Sequence, residues 1–265
     1  MVNQASRKIA VVTGASSGIG AVYAQRLAAR GYDLWLVARR ADRLRELASE
    51  IGGAHGVNVE TVVADLTSEA DLQRVEQRIA AEANIHVLVN NAGLARLRPV
   101  AQSSVADTAT QIALNITALV RLTQAVVPGF VSRNEGAIIN IASVLALDTL
   151  PVSAVYSGTK GFVLNYTRGL QLELANTGVK VQAVLPAATA TEIWDESGVP
   201  LDSLAAGTVM RTEDMVDAAL EGFDQGEAIT MPSVHDAQLL HSFEEARQTL
   251  FRASQNGTAA PRYRA

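Results

Sequence analysis

Ile9-Ala10-Val11-Val12-Thr13-Gly14-Ala15-Ser16-Ser17-Gly18-Ile19-Gly20 is an apolar, β-branched run that passes straight into a turn with three glycines in seven residues. The amphipathic stretch Ala21–Arg30 follows, so the order is strand, glycine turn, helix. Glycines permit the tight turn and let the backbone approach a pyrophosphate closely. A helix N-terminus adds unpaired N–H groups and a favourable dipole. The spacing here is G-x-x-x-G-x-G rather than the G-x-G-x-x-G fingerprint. Taken alone, the segment also fits a plain glycine-rich connection.

Moving outward, the same alternation repeats. Further apolar runs lie at Leu34–Val37, Val59–Val63, Val87–Val89, Ala137–Ile141, Val179–Val184 and Ala228–Met231. Helical patterns separate them at Arg43–Ile51, Glu69–Ala83, Ala109–Val127, Tyr156–Ala175 and Thr212–Phe223. Continuous apolar strands divided by helices predict a parallel sheet covered on both faces. Gly31, Gly52 with Gly53, and Gly178 stand where helix ends or strand starts call for glycine. The expectation is one α/β domain over residues 1–265, doubly wound and three-layered. It includes a substrate-loop region at about 187–211 without clear periodicity and a loose tail at about 255–265.

Composition narrows the function. With no cysteine, disulfides, thiolate nucleophiles, iron–sulfur clusters and Cys-ligated zinc are excluded. His55, His86, His235 and His241 have no metal-ligand spacing and read as structural, so no metal site is expected. A net charge of −5 argues against a broad nucleic-acid or anionic-membrane surface. Met1 to Lys8 is polar, and Ile9–Val12 is too short for the apolar core of a signal peptide. The apolar stretch Ile112 to Val131 is broken by Asn115, Arg121, Gln124 and Pro128 and reads as a buried helix rather than a membrane span. These features predict a cytoplasmic protein acting on a small molecule, with no nucleic-acid or membrane partner.

Asn90-Asn91-Ala92-Gly93 closes the fourth strand, and together with the glycine turn it makes the pattern specific. The chain resembles the short-chain dehydrogenase/reductase family in its single-domain form. The resemblance rests on Thr13-Gly14-(x)3-Gly18-x-Gly20, Asn90-Asn91-Ala92-Gly93, Asn115, Ser143 and Tyr156-(x)3-Lys160, in the family's order and at its usual separations over nearly the full length. It implies a Rossmann-type fold with a seven-stranded parallel sheet, a homotetramer or homodimer, and NAD(H) or NADP(H) as cofactor. The glycine-turn residues Gly14, Ser16, Ser17, Gly18, Ile19 and Gly20 and the trio Asn91, Ala92, Gly93 would then hold the dinucleotide. The resemblance also implies an adenine-edge contact at Asp65-Leu66, with a plain loop aspartate as the rival. Pro186, Thr189 and Thr191 would serve the nicotinamide end together with Tyr156 and Lys160, the lysine on the nicotinamide ribose. Ala187 stands where the family usually has glycine, an expected cost if that position needs positive φ.

Charge chooses between the dinucleotides. The second strand ends Leu36-Val37-Ala38-Arg39-Arg40, with no acid to meet a ribose 2′-hydroxyl. A guanidinium can hold phosphate oxygens in two-pronged fashion. Arg39 is therefore assigned to a 2′-phosphate, with Arg40 and the Ser17 hydroxyl assisting, and the expected cofactor is NADP(H). The rival reading leaves both arginines solvated at a helix start, where they oppose the dipole.

Tyr156 and Lys160, four apart on a helical pattern, share one face. A neighbouring ammonium and an oxidised nicotinamide are both expected to lower the tyrosine pKa. Ser143 follows the fifth strand, where open α/β sheets bind ligands, and can stabilise charge on a substrate oxygen. Asn115, inside an apolar helix, needs a partner. The resemblance gives it a water that links Lys160 to solvent, and a structural network is compatible with that. Together Asn115, Ser143, Tyr156 and Lys160 form the predicted catalytic set for reversible reduction of a ketone or aldehyde to an alcohol.

The expected substrate border is Leu94, Arg96, Leu145, Leu147, Val152, Ala187, Ala188, Ile193 and Trp194, mostly apolar. Trp194 reads equally as lid anchor or core. Reduction of a 3-oxoacyl thioester is the alternative within the class. A non-catalytic NADP(H)-binding sensor or scaffold is the alternative outside it. Helices Ala109–Val127 and Tyr156–Ala175 carry more than one apolar stripe, including Phe162, Leu164, Leu170 and Leu172, and are the expected subunit contacts.

Overall fold

The apolar runs become strands because they are short and β-branched, and the central ones are buried on both sides. In the computed structural model, which describes residues 7–263, the strands are β1 (Ile9–Thr13), β2 (Asp33–Ala38), β3 (Val59–Val63), β4 (Ile85–Asn90), β5 (Gly136–Ile141), β6 (Val179–Val184) and β7 (Ile229–Thr230). They form one parallel seven-stranded sheet in the order β3-β2-β1-β4-β5-β6-β7. The helices are α1 (Gly18–Ala29), α2 (Ala41–His55), α3 (Glu69–Ala81), α4 (Val105–Ile112), α5 (Leu119–Ser132), α6 (Ala154–Glu173), α7 (Thr212–Asp224) and α8 (Ala237–Ser254).

Successive strand residues point to opposite faces, and the core divides accordingly. Ala10, Val12, Leu34 and Leu36 pack with residues of α1, α2 and α7. Val11, Trp35, Val37, Leu88 and Ile138 pack with α3 and α5. Val163 and Leu164 of α6 pack beside the ends of β5 and β6. This is the doubly wound, three-layer α/β fold that the alternation predicts.

Three expectations change. Gly52 and Gly53 lie inside α2, and the left-handed cap is Gly56, at φ 61°. The helix expected at Ala109–Val127 runs from Val105 to Ser132 and contains a π-helical turn, Ala113–Ala118, between α4 and α5. It is long and apolar enough to cross a bilayer, yet Leu119, Leu122, Val126 and Phe130 belong to the core. Finally, the expected single unit divides after Pro232. The residues from Ser233 onward form a second compact unit around α8, a helix not foreseen from the sequence. Its cap is Asp236, whose carboxylate accepts from the Gln238 amide at 3.0 Å. Beyond Gln255 only a single 3₁₀ turn, Pro261–Tyr263, is regular among the described residues.

Candidate active site and cofactor cleft

β1 and β4 are neighbours, but the chain leaves β1 for α1 on one face and β4 for α4 and α5 on the other. Their carboxyl ends therefore part and leave a crevice, the place where open α/β sheets bind ligands. The glycine turn forms one wall. Gly14 and Gly18 have φ of 65° and 54°, which suits glycine. Gly20 needs its missing side chain for a different reason, since a Cβ there would lie 2.6 Å from Asn91 Nδ2. That amide is fixed in place, donating to the carbonyls of Thr13 at 2.9 Å and Gly14 at 3.3 Å. The Thr13 hydroxyl donates to Val89 O at 3.2 Å and accepts from the Asn91 and Ala92 amides, both at 3.0 Å. Thr13 and Asn91 thus stitch the turn to the end of β4. This explains why the two motifs occur together, and it gives Thr13, a motif residue with no role assigned from the sequence, its part.

Three adjoining cavities follow the crevice. The first, about 170 Å³, is lined by Ser16, Ser17, Ala38, Arg39, Arg40, Asp65 and Leu66. The second, about 280 Å³, shares Gly14, Ser17, Arg39, Arg40, Ala92 and Gly93 with the first and adds Ile19, Asn91 and Thr191. The third, about 290 Å³, contains Ser143, Tyr156, Lys160, Pro186 and Thr189. The structure therefore brings all the predicted cofactor residues except Gly20 to one continuous path, and Gly20 shapes the turn from behind.

At the first cavity Arg39 is exposed and makes no hydrogen bond or ion pair with another described residue. Arg40 is engaged: its guanidinium donates to Ser16 Oγ at 3.0 and 3.1 Å, to Ser17 Oγ at 2.6 Å and to Glu192 at 2.6 Å. Asp65 turns one carboxylate oxygen to its own loop, accepting from the Thr67 amide at 2.9 Å and hydroxyl at 2.7 Å. The plain-loop role of Asp65 is thus present, on a wall of the cleft.

At the reacting end Lys160 is buried and Tyr156 half-buried, both on the wall of the third cavity. Tyr156 and Lys160 face one way from α6, with the Lys160 Nζ 5.7 Å from the centre of the tyrosine ring. Burial pushes the Tyr156 phenol up to about 12, opposed by a hydrogen bond to the Ser143 hydroxyl. Without a cofactor the shift is therefore upward, because desolvation outweighs the lowering effect of the Ser143 hydroxyl. Burial also lowers Lys160 to about 8, while its Nζ donates to Ile141 O at 2.8 Å. Ser143 Oγ accepts from the Leu145 amide at 3.1 Å, which fixes the hydroxyl at the end of β5. Asn115 lies in the π-helical turn. Its Oδ1 accepts from the Leu94 amide at 2.9 Å, and its Nδ2 donates to Leu94 O and Thr159 Oγ1, both at 3.0 Å. The side chain is fully committed to structure.

Ala187 carries no strain, since the only non-glycine residue with positive φ among those described is Asn134. Of the expected substrate border, Leu145, Ala187, Ala188, Ile193 and Trp194 line the third cavity. Leu94 lines the second instead, and Leu147, Val152 and Arg96 line none of the three. Arg96 is turned to Glu196, donating to its carbonyl at 2.6 Å and pairing with its carboxylate at 2.8 Å. Missed from the sequence were Ala95, Leu97, Val144, Leu150 and Leu204. After Gly93 the chain is extended, so Ala95 and Leu97 turn inward while Leu94 and Arg96 do not. Trp194 donates from Nε1 to Thr189 O at 2.8 Å and so anchors the covering loop.

The residues present suit a dinucleotide, because the glycine cradle is a space that side chains would fill and a free guanidinium waits at one end. Comparison with known proteins agrees. A solved short-chain dehydrogenase from Sphingobium yanoikuyae, in complex with NADPH, shares 46% identity over 97% of this chain and 100% of that one, with a TM-score of 0.94. The bulky-bulky ketone specific alcohol dehydrogenase from Comamonas testosteroni shares 39% over 97% and 99%, with a TM-score of 0.89. The very-long-chain 3-oxoacyl-CoA reductase of Bos taurus is 42% identical over 86 residues, which are 32% of this chain and 27% of that enzyme. The family model described as short chain dehydrogenase matches residues 8–200. That span runs from the strand before the glycine turn through the Tyr156–Lys160 pair, so the chain belongs to the short-chain dehydrogenase/reductase family of oxidoreductases.

Proposed function

We propose that the protein is an NADP(H)-dependent reductase of uncharged ketones with apolar groups on both sides of the carbonyl. The observation that carries this reading is that Tyr156 and Ser143 line one largely apolar cavity continuous with the cofactor cleft. When bound, the cofactor supplies the hydride that adds to the carbonyl carbon. The Ser143 hydroxyl holds the substrate oxygen and stabilises the charge that grows on it. Tyr156, kept protonated by burial, gives its phenolic proton to that oxygen, completing the alcohol. Lys160 stabilises the phenolate left behind, and its contact with Ile141 O holds the amine in position. With the Asn115 side chain fully paired, a water connecting Lys160 to solvent would rest on backbone carbonyls that the π-helical turn frees from the usual pattern.

Arg39 supports NADP(H) over NAD(H), being unpaired where the 2′-phosphate would lie, with Arg40 and Ser17 beside it. Beyond Tyr156 and Lys160, no ionisable side chain among the described residues lines the third cavity. Ala95, Leu97, Leu145, Leu150, Ile193, Trp194 and Leu204 surround it. An anionic group on the substrate would find no partner there, whereas apolar flanks would be covered. The Comamonas neighbour's specificity points the same way. A 3-oxoacyl thioester is the second reading, favoured by the name of the curated relative. Assembly as a homodimer or homotetramer through α4, α5 and α6 is part of the proposal, supported by Phe162 and Leu172 standing exposed on α6.

The test is NADPH oxidation, followed by absorbance with diaryl and branched dialkyl ketones, small ketones, aldehydes and 3-oxoacyl thioesters, and with NADH in parallel. The reading expects turnover of bulky ketones with NADPH well above NADH, and loss of that preference in Arg39→Ala. Preference for the thioesters would select the second reading, and NADPH binding without turnover would select a sensor.

A further inference from the structure

The loop that covers the site is fastened at two places. On the substrate side, the Leu97 amide donates to Ser197 O at 2.7 Å, and Arg96 holds Glu196. On the cofactor side, Glu192, in the 3₁₀ turn Glu192–Trp194, pairs with Arg40 at 2.6 Å and also with Arg43. Arg40 extends the link to the glycine turn through Ser16 and Ser17. The preceding Thr191 already lies against Gly18, where a Cβ would meet its side chain at 3.1–3.2 Å. With these ion pairs formed, a cavity of about 280 Å³ remains between the glycine turn, Asn91 and the loop, with Arg40 and Glu192 both on its wall. The bridges therefore roof the crevice instead of filling it, and Arg39 stays free to meet a ligand beneath.

We propose that Glu192, acting through Arg40 and Arg43, is a clasp that retains the dinucleotide in its cleft, so that release requires both ion pairs to open. Glu192 is a positioning residue: it holds the loop and touches no reacting atom. This inference rests on the reading of the crevice as a dinucleotide site. The alternative geometry makes Glu192 a resident anion that competes with a 2′-phosphate for Arg40. The open cavity beneath the formed bridges and the unpaired Arg39 favour the clasp. The two guanidiniums also hold the Glu192 carboxyl down to about 2, so the link stays charged through the working pH range.

The experiment is stopped-flow measurement of NADPH dissociation and association, read by nucleotide fluorescence, on wild type, Glu192→Gln, Glu192→Asp, Arg43→Gln and the Glu192→Gln/Arg43→Gln pair. An exposed ion pair contributes up to about a fivefold factor. Loss of both is expected to speed dissociation about tenfold in Glu192→Gln, and loss of one about threefold in Arg43→Gln. The double variant should match Glu192→Gln, Glu192→Asp should recover part of the retention, and association should change less than about twofold. Raising ionic strength should speed release more from wild type than from Glu192→Gln, because screening of the contact between Arg39 and the cofactor phosphate is common to both and only wild type has the clasp pairs to lose. Unchanged dissociation in both single variants would overturn the clasp. So would slower release and tighter NADPH binding in Glu192→Gln, which would identify the competitor instead. If wild type bound no NADPH, the dinucleotide reading would fall and the clasp with it. Binding with unaltered rates would fell the clasp alone.

Discussion

Lys160 is a charged group 5% exposed to solvent, so the native state should be measurably less stable for carrying it. Burial lowers its pKa from 10.5 to about 8. The folded chain thus releases this proton at a lower pH than the unfolded chain does. Between about pH 8 and 10.5 the unfolded state binds more protons, and stability contributed through this residue rises with pH. Below pH 8 the penalty is fully present. A shift of this size corresponds to about 3 kcal/mol at neutral pH, most of which is relieved between pH 7 and pH 10. The perturbation is Lys160→Met, which keeps the length of the side chain without its charge. Urea unfolding of the cofactor-free protein, at one protein concentration, would be measured for both forms at pH 7 and pH 10. Packing and the lost hydrogen bond to Ile141 O shift the two forms by a pH-independent amount and cancel in the comparison. The variant should therefore be favoured over wild type by about 2–3 kcal/mol more at pH 7 than at pH 10. A stability difference that does not vary with pH would refute the reasoning, because it would mean that Lys160 titrates alike in the folded and unfolded chains.

Tyr156→Phe removes the proton donor and should lower turnover by about 10² to 10⁴-fold while leaving the NADPH dissociation constant unchanged in a fluorescence titration. In Gly20→Ala the new Cβ would press on Asn91 Nδ2, and the adjustment should cost about 1–3 kcal/mol in chemical unfolding and weaken NADPH binding at least about tenfold. The rate of ketone reduction should stay level up to about pH 7.5 and decline above about pH 8 as Lys160 loses its charge, with Tyr156 still protonated; a profile flat to pH 10 would contradict this. Light scattering should give a mass of two or four protomers, and Phe162→Glu with Leu172→Glu should reduce it to one.

The sheet and the cofactor wall were legible because their signals are local. Val11 and Val12 are neighbours that must both be buried, which requires cover on both faces, and Gly14, Gly18 and Gly20 answer needs of a single turn. Asn91 was visible as a motif, but its purpose was not, since its partners Thr13 and Gly14 lie 78 and 77 positions away. The substrate side was half read for the same reason. Leu94 and Arg96 were chosen where Ala95 and Leu97 turn inward, because the phase of that extended segment is set by Ser197 O and Gln111 Oε1, which accept from the Leu97 and Arg96 amides. Glu192 gave no signal at all. A glutamate in an aperiodic loop gains meaning only when the fold brings Arg40 and Arg43 beside it. Helix α8 does carry an apolar repeat at Leu240, Phe243, Leu250 and Phe251, and Asp236 before it is a cap signal, so that omission was avoidable.

Burial at the reacting end gives the two sides of the proposed reaction different chemistry from one pair of residues. Desolvation alone moves Tyr156 up and Lys160 down, which makes both neutral forms easier to reach. A phenol held near 12 is a donor that keeps its proton until negative charge develops on the substrate oxygen beside it, which is what carbonyl reduction requires. Alcohol oxidation requires the opposite, a phenolate, and desolvation opposes that. The difference has to come from charge that is present in one direction only. An oxidised nicotinamide is cationic and a reduced one is neutral, and in a dry cavity a nearby positive charge acts with little screening. The same burial that raises the tyrosine therefore also strengthens the cofactor's influence on it. On this argument, apolar lining around Tyr156 does more than cover the substrate. It couples the protonation state of the tyrosine to the redox state of the cofactor, and residues such as Val144, Leu145 and Leu150 would take part in that coupling by keeping water out.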